Sequence, residues 1–185
     1  MGIQSPTRKA VFLDRDGVIN VDNGYVSSWK SFEFLPRVIE ALKLLSDAGY
    51  DLVIITNQSG IARGFYSEKD FFKLRSEMER YLVGYGVCFT AILHCPHHPN
   101  GKVARYSTNC ECRKPKPGMI LRAKKLFGYS LEHCILIGDK GTDISAGRAA
   151  GVGRLFKISR EIVRADLNGV EISDSLWDVA RTVIV

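Results

Sequence analysis

The sequence predicts an α/β fold: a mostly parallel sheet covered by helices on both faces, three layers in all. Three observations lead there. The strand-like runs are apolar on both faces, as buried parallel strands must be. They alternate with amphipathic helical runs, the pattern of βαβ units. Acidic and hydroxyl residues gather at the carboxyl ends of those strands, where sheets of this kind keep their sites.

In chain order, "KAVFLD" reads as a buried strand, and "RVIEALKLLSDAG" as an amphipathic helix closed by Gly49. "YDLVIIT" is the second strand. "SEKDFFKLRSEMERYLVGYG" opens with the cap pattern Ser67-x-x-Asp70 and carries apolar residues at Phe71, Leu74, Met78, Tyr81 and Leu82. "VCFTAILHC" is the third strand. "KPGMILRAKKLFG" has Pro117 near a helix start and Gly128 at its end. "HCILIGD" is a fourth strand, "TDISAGRAAG" a short helix, and "GRLFKI" a fifth strand. The tail "DSLWDVARTVI" is a last helix that packs Leu176, Trp177 and Val179 or Ile184 on the core. From roughly Pro96 to Pro115 neither period holds, and a loop that long is usually functional or held by something.

The chain of 185 residues is the size of one ordinary domain, so residues 1–185 are expected to form a single unit behind a short tail over residues 1–8. At 45% hydrophobic and 25% charged residues it is typical of a globular protein. No apolar run approaches the roughly 20 residues of a membrane span. "MGIQSPTRK" lacks an apolar secretory core, and Pro6 stands where a myristoylation signal needs Ser or Thr. The net charge of +6 suits a nucleic-acid binder or an enzyme with anionic substrates, but the basic residues form no block. Five cysteines make an odd set for disulfides and point to a reducing cytoplasm. Cys88 and Cys134 lie in apolar runs and read as small buried side chains.

Asp14, Asp16, Thr56, Asn57 and Asp139 fall at the ends of the expected strands. Side chains two apart on an extended segment point the same way, so Asp14 and Asp16 face a common ligand with Arg15 turned aside. Clustered carboxylates repel unless a cation sits among them, and oxygen-only ligands suit Mg²⁺.

"DRDGVIN" resembles the first motif of the haloacid dehalogenase superfamily of phosphatases; "ITNQSG" resembles its second, "CRKPKPGM" its basic third and "IGDKGTD" its acidic fourth. All four occur in order between residues 11 and 143. The resemblance implies a Rossmann-like sheet of that superfamily's type and an aspartyl-phosphate mechanism. Asp14 is then the nucleophile and Asp16 the general acid and later base. Mg²⁺ is implied on Asp14, Asp139 and the main-chain carbonyl of Asp16, and Thr56 and Lys114 on the transferring phosphoryl oxygens. Asp143, at a helix start, reads as a cap or a supporting group rather than a ligand.

"CPHHPNGKVARYSTNCEC" holds Cys95-x-His97, twelve residues, then Cys110-x-Cys112. Three thiolates and an imidazole make a tetrahedral, structural Zn²⁺ set that would pin the loop over residues 95–115. His98 competes for the imidazole position, and His94 does so less well. Unliganded surface cysteines and a zinc module for nucleic acid are the other readings, but no recognition helix accompanies the loop. The pattern also resembles one branch of the same superfamily, whose substrates include a heptose bisphosphate and histidinol phosphate.

"TNQSGIARGFYSE", "DRDGVIN" and "GDKGTD" look like the heptose side of that branch. The implied substrate is a small-molecule sugar bisphosphate, heptose 1,7-bisphosphate losing its 7-phosphate, with histidinol phosphate as the alternative. By the same resemblance Asp22, Asn23, Gly24 and Tyr25, with Thr56, Asn57, Gln58 and Ser59, line the sugar-phosphate pocket. Arg113, Lys114 and Lys140 meet its charges. No nucleic acid or membrane partner is expected, and the short connections leave no room for a large cap domain, which goes with a monomer. Pro36-Arg37 departs from the Pro-Gly that the family more often has.

Overall fold

The computed structural model describes residues 8–159 and 169–184. Strands β1 (Ala10–Leu13), β2 (Asp51–Asn57), β3 (Ala91–Cys95), β4 (Ile135–Gly138), β5 (Arg154–Ile158) and β6 (Val170–Ser173) form one sheet in the order β3-β2-β1-β4-β5-β6. Every pairing is parallel. The helices are α1 (Val38–Asp47), α2 (Ser59–Arg63), α3 (Glu68–Val83), α4 (Gly118–Phe127), α5 (Gly141–Ala150) and α6 (Leu176–Ile184).

The two-residue period of the strands divides the core between the faces. Val11, Leu13, Leu52, Ile54, Ile135 and Ile137 pack against α1, α3 and α6. Ala10, Phe12, Val53, Ile55 and Leu136 pack against α4 and α5. Each fully buried aliphatic side chain contributes about 2 kcal/mol, which is why strands with no polar face are stable only between two helical layers.

From β1 the chain winds outward through β2 and β3, then returns to place β4 on the other side of β1. That reversal opens a crevice at the carboxyl ends of β1 and β4. The Asp14 amide donates to Ile137 O at 3.0 Å, carrying the β1–β4 ladder one residue beyond the strand and fixing Asp14 at the crevice.

Several expectations change. The helix over 67–86 ends at Val83, and β3 starts only at Ala91. Cys88 is exposed rather than buried, because Val87 supplies the apolar contact of that segment. α2 and β6 were not anticipated; β6 is a four-residue edge strand in which no residue is fully buried. In α6, Leu176 and Val179 are buried while Ile184 is 43% exposed. Arg8, the last residue of the expected tail, pairs with Asp51 at 2.6 Å, and residues 1–7 lie outside the described residues.

Arg37 has φ +59, the left-handed region that glycine enters freely and other residues enter at a cost of about 1–2 kcal/mol. Its guanidinium lies 3.6 Å from the centroid of Trp177, a contact worth about 0.5–1 kcal/mol that offsets part of the strain. Among the described residues, no helix is long and apolar enough to cross a membrane.

Candidate active site

The first strand's end carries Asp14, 6% exposed, whose Oδ1 accepts from the Arg15 amide at 2.8 Å and lies 2.9 Å from Lys114 Nζ. Lys114 Nζ also reaches Asp143 Oδ1 at 2.7 Å and donates to Ile55 O at 2.7 Å. An ammonium has three protons, and these three acceptors match them. Burial alone would lower the Lys114 pKa, but the Asp14 and Asp143 carboxylates hold it above the ordinary lysine range. Burial pushes the Asp14 carboxyl up against the opposing pull of Lys114.

Asn57 places Lys114 by a reciprocal clamp: its Nδ2 donates to Lys114 O at 3.0 Å, and the Lys114 amide donates to Asn57 Oδ1 at 3.1 Å. Asn57 therefore spends its amide on the motif that carries Lys114.

Asp139, at the end of β4, completes a group with Asp14 and Asp143 in which one carboxylate oxygen from each lies within 4.8 Å of the others. Asp139 Oδ1 is buried and has no hydrogen-bond partner among the described residues. Burial pushes the Asp139 carboxyl up to about 6. A buried carboxylate oxygen without a donor, beside two further carboxylates, is the environment that a hard divalent cation satisfies. The donor set fits Mg²⁺. Asp143 has two duties: Oδ2 accepts from the Lys140 amide at 2.9 Å as the α5 cap, and Oδ1 faces Lys114.

Gly17 follows from the same crowding. It sits at φ +89, and a Cβ there would lie 2.4 Å from Asp139 Oδ2, so only glycine lets the β1 loop pass over the β4 carboxylate.

Asp16 is not a member of this group but lines the cavity beside it. Its carboxylate accepts from Arg15 Nη2 at 2.8 and 2.9 Å, Asn20 Nδ2 at 3.0 Å and Gln58 Nε2 at 3.1 Å. Arg15, only 2% exposed, is tied beneath the loop to Val26 O as well. Thr56 is buried, and its Oγ1 accepts from Gln58 Nε2 at 2.8 Å.

A cavity of about 320 Å³ opens beside these groups, lined by Asp16, Asp22, Gly24, Tyr25, Asn57, Gln58, Ser59, Tyr66 and Lys140. Lys140 Nζ lies 2.9 Å from Asp22 and 3.8 Å from Asp139. Although partial burial raises Asp22, the Lys140 ammonium holds it below the usual carboxylate range. Asn23, Thr56, Arg113 and Lys114 are not part of the lining; Arg113 instead donates to His97 O at 3.3 Å. A larger cleft, about 480 Å³, lies at the opposite end of the sheet beside Lys9, Tyr50 and His133, far from the strand-end carboxylates. Tyr66 had no signal in the sequence, because its role depends on a side chain eight positions away.

The cysteine loop gathers as one cluster. Cys95 Sγ lies 3.5 Å from Cys110 Sγ and 3.8 Å from His97 Nδ1; Cys112 Sγ lies 3.3 Å from Cys110 Sγ and 3.4 Å from His97 Nδ1. Ligands about 2.0–2.3 Å from a central zinc stand about 3.3–3.8 Å apart at the corners of a tetrahedron. Hydrogen bonding with Cys95 first, then Cys110 and His97, draws Cys112 down to about 5, towards the thiolate a metal needs. His98 is engaged by Arg63 Nη2 at 3.0 Å and His94 by Glu68 at 3.0 Å, so neither competes with His97. Tyr106 OH donates to Glu68 at 2.6 Å and the Val103 amide to Ala62 O at 2.9 Å, fastening the loop to α3 and α2.

Residues 111–156 match the HAD-hydrolase-like family model. The chain is 48% identical over 180 residues to the D-glycero-beta-D-manno-heptose-1,7-bisphosphate 7-phosphatase of Vibrio cholerae serotype O1, covering 96% of this chain and 97% of that protein. It is 47% identical over 150 residues to the D-glycero-alpha-D-manno-heptose-1,7-bisphosphate 7-phosphatase of Photorhabdus laumondii, covering 81% and 82%. Its fold is similar to a crystal structure of D,D-heptose 1,7-bisphosphate phosphatase from B. bronchiseptica complexed with magnesium and phosphate. The TM-score there is 0.85, at 29% identity, with 96% of this chain and 98% of that one covered.

Proposed function

The chain belongs to the haloacid dehalogenase-like phosphatases, and from that premise we propose that it removes the 7-phosphate of D-glycero-D-manno-heptose 1,7-bisphosphate. The observation that carries the reading is the Asp14–Lys114–Asp143 group at the crevice between β1 and β4, with Asp139 beside it. A phosphate-binding protein has no use for carboxylates at the bottom of its site; an enzyme that takes a phosphoryl group onto one of them does.

A carboxylate oxygen of Asp14 attacks phosphorus as the sugar oxygen leaves, and Asp16 gives that oxygen a proton. Water then attacks the aspartyl-phosphate. Asp16 takes the proton of the water, phosphate departs and Asp14 is restored. Lys114 keeps Asp14 aligned through Oδ1 and places its positive charge beside the reacting centre. Thr56, through its hydroxyl, holds a phosphoryl oxygen. Asp14 and Asp139, with the main-chain carbonyl of Asp16, would hold Mg²⁺, whose charge offsets that of the incoming phosphate, while Asp143 supports the group through Lys114. Zn²⁺ on Cys95, His97, Cys110 and Cys112 would hold the loop that leads into Arg113 and Lys114.

Substrate choice rests on the mouth of the cavity. Lys140 is half exposed there, beside Asp22, and suits a second phosphate better than the cationic amine of histidinol phosphate. On this reading the protein is a cytoplasmic monomer whose product, heptose 1-phosphate, feeds the ADP-heptose used in lipopolysaccharide core assembly. Steady-state kinetics on both substrates with Mg²⁺ tests the assignment. The expected result is a higher kcat/KM on the heptose bisphosphate, and a preference for histidinol phosphate overturns it.

A further inference from the structure

Gln58 lies in the "ITNQSG" motif at the rim of the cavity, where a substrate contact would be the ordinary assignment. Its side chain is spoken for. It is 2% exposed, and Nε2 donates to Asp16 Oδ2 at 3.1 Å and to Thr56 Oγ1 at 2.8 Å. Oε1 accepts from the Tyr66 hydroxyl at 2.5 Å. A primary amide offers two N–H donors and one oxygen, and all of these have protein partners.

We propose that Gln58 is a positioning residue that sets Asp16 and Thr56 in register for phosphoryl transfer, with the Tyr66 hydroxyl fixing which way its amide faces. The proposal rests on the reading of Asp16 as the acid–base group. Three features support it.

First, the amide joins a group that moves a proton to one that holds a phosphoryl oxygen, and these come from different elements: the β1 loop and β2. Because Thr56 Oγ1 accepts from Gln58, its own proton is left to point at the phosphate. Arg15 and Asn20 hold Asp16 from within its own loop, so Gln58 is the tie between the carboxylate and the second strand.

Second, the orientation of the amide is selected. Turned over, it would set Oε1 against the Asp16 carboxylate and its NH₂ against the phenol. Burial raises the Tyr66 pKa, so the hydroxyl remains a donor. The Tyr66 ring is itself located by Gly60, where a Cβ would stand 2.1 Å from Cε1.

Third, the main chain is tethered. The Gln58 amide donates to Cys95 O at 2.8 Å, at the end of β3 where the cysteine loop begins.

The test is kinetic, with Gln58→Met, Tyr66→Phe and the double variant assayed on the sugar bisphosphate and on p-nitrophenyl phosphate. Gln58→Met keeps the length of the side chain and removes its hydrogen bonds. The expected result is a fall in kcat of about 10- to 100-fold with KM within about twofold, and a displaced limb in the kcat–pH profile. Tyr66→Phe lowers kcat by several-fold in the wild-type background and has no further effect on Gln58→Met, since it acts through that amide. A rise in KM at unchanged kcat makes Gln58 a substrate contact and overturns the proposal, as do additive losses in the double variant. If Gln58→Met fails to fold, Tyr66→Phe decides alone: an unchanged kcat and pH profile overturns it. A wild type that cleaves p-nitrophenyl phosphate but no sugar bisphosphate removes the substrate assignment and leaves this test standing; one that cleaves neither overturns both.

Discussion

Lys114 Nζ lies 2.9 Å from Asp14 Oδ1, with the lysine side chain 2% and the carboxylate 8% exposed. The same ammonium neutralises Asp143 at 2.7 Å. Lys114→Met therefore leaves two buried carboxylates facing one another without a cation. The expected cost is about 3–5 kcal/mol, a fall in Tm on the order of 10 °C, together with loss of turnover. Thermal unfolding beside kcat checks it, and an unchanged Tm would mean the pair is not buried as described.

Asp14→Asn keeps the shape of the side chain and removes the nucleophile. Turnover is expected to drop by about a thousandfold or more, while circular dichroism and Tm show a folded protein. Substantial remaining activity assigns the covalent step elsewhere.

The cysteine cluster predicts about one zinc per chain by metal analysis of the purified protein. Cys110→Ser is expected to lower that content and, because the loop runs into Arg113 and Lys114, to lower kcat as well. A zinc-free protein with full activity contradicts the structural role of the loop.

Asp22 is held below its ordinary value by Lys140, so the folded state releases that proton more readily than the unfolded chain. The pair's contribution is present in full above pH about 4 and fades as pH falls through the depressed folded value. The pair is partly exposed, so solvent screening limits it to a few tenths of a kcal/mol. Urea denaturation of wild type and Asp22→Asn should show that small difference at pH 7 and none at the acid end; a gap that widens towards acid has the wrong sign.

Arg37→Gly relieves the positive φ and loses the stacking on Trp177, and the two effects are expected to cancel within about 1 kcal/mol. Arg37→Val keeps the strain, loses the stacking and should cost about 1–2 kcal/mol more. Calorimetry that ranks valine above glycine contradicts the strain at this position.

Much of the fold was legible because burial on both faces leaves a strand no polar position except at its ends. Val11, Leu13 and Ile137 had to be interior, and Asp14 and Asp139 stood out by ending such runs. The same rule fails for β6, an edge strand with Glu171 in its middle, and for Cys88, which an apolar run surrounds but which is exposed while its neighbour Val87 is buried. The cysteine set was legible from spacing, but only the packing of His98 on Arg63 and His94 on Glu68 removes the competing imidazoles. What the sequence could not carry is mutual engagement. Asn57 reads as a pocket residue, and it does line the cavity, but its clamp on the Lys114 main chain has no sequence signal; Asp143 reads as a cap until its second oxygen meets Lys114.

The central claim is that Asp14 takes the 7-phosphoryl group. Excess enzyme mixed with heptose 1,7-bisphosphate and Mg²⁺, quenched in acid within one turnover and mapped by peptide mass spectrometry, tests it directly. The account predicts a phosphoryl group on the peptide at Asp14, and ³¹P spectra in which the 7-phosphate resonance disappears while the 1-phosphate remains. Turnover with Asp14 unmodified throughout, or loss of the 1-phosphate, contradicts it.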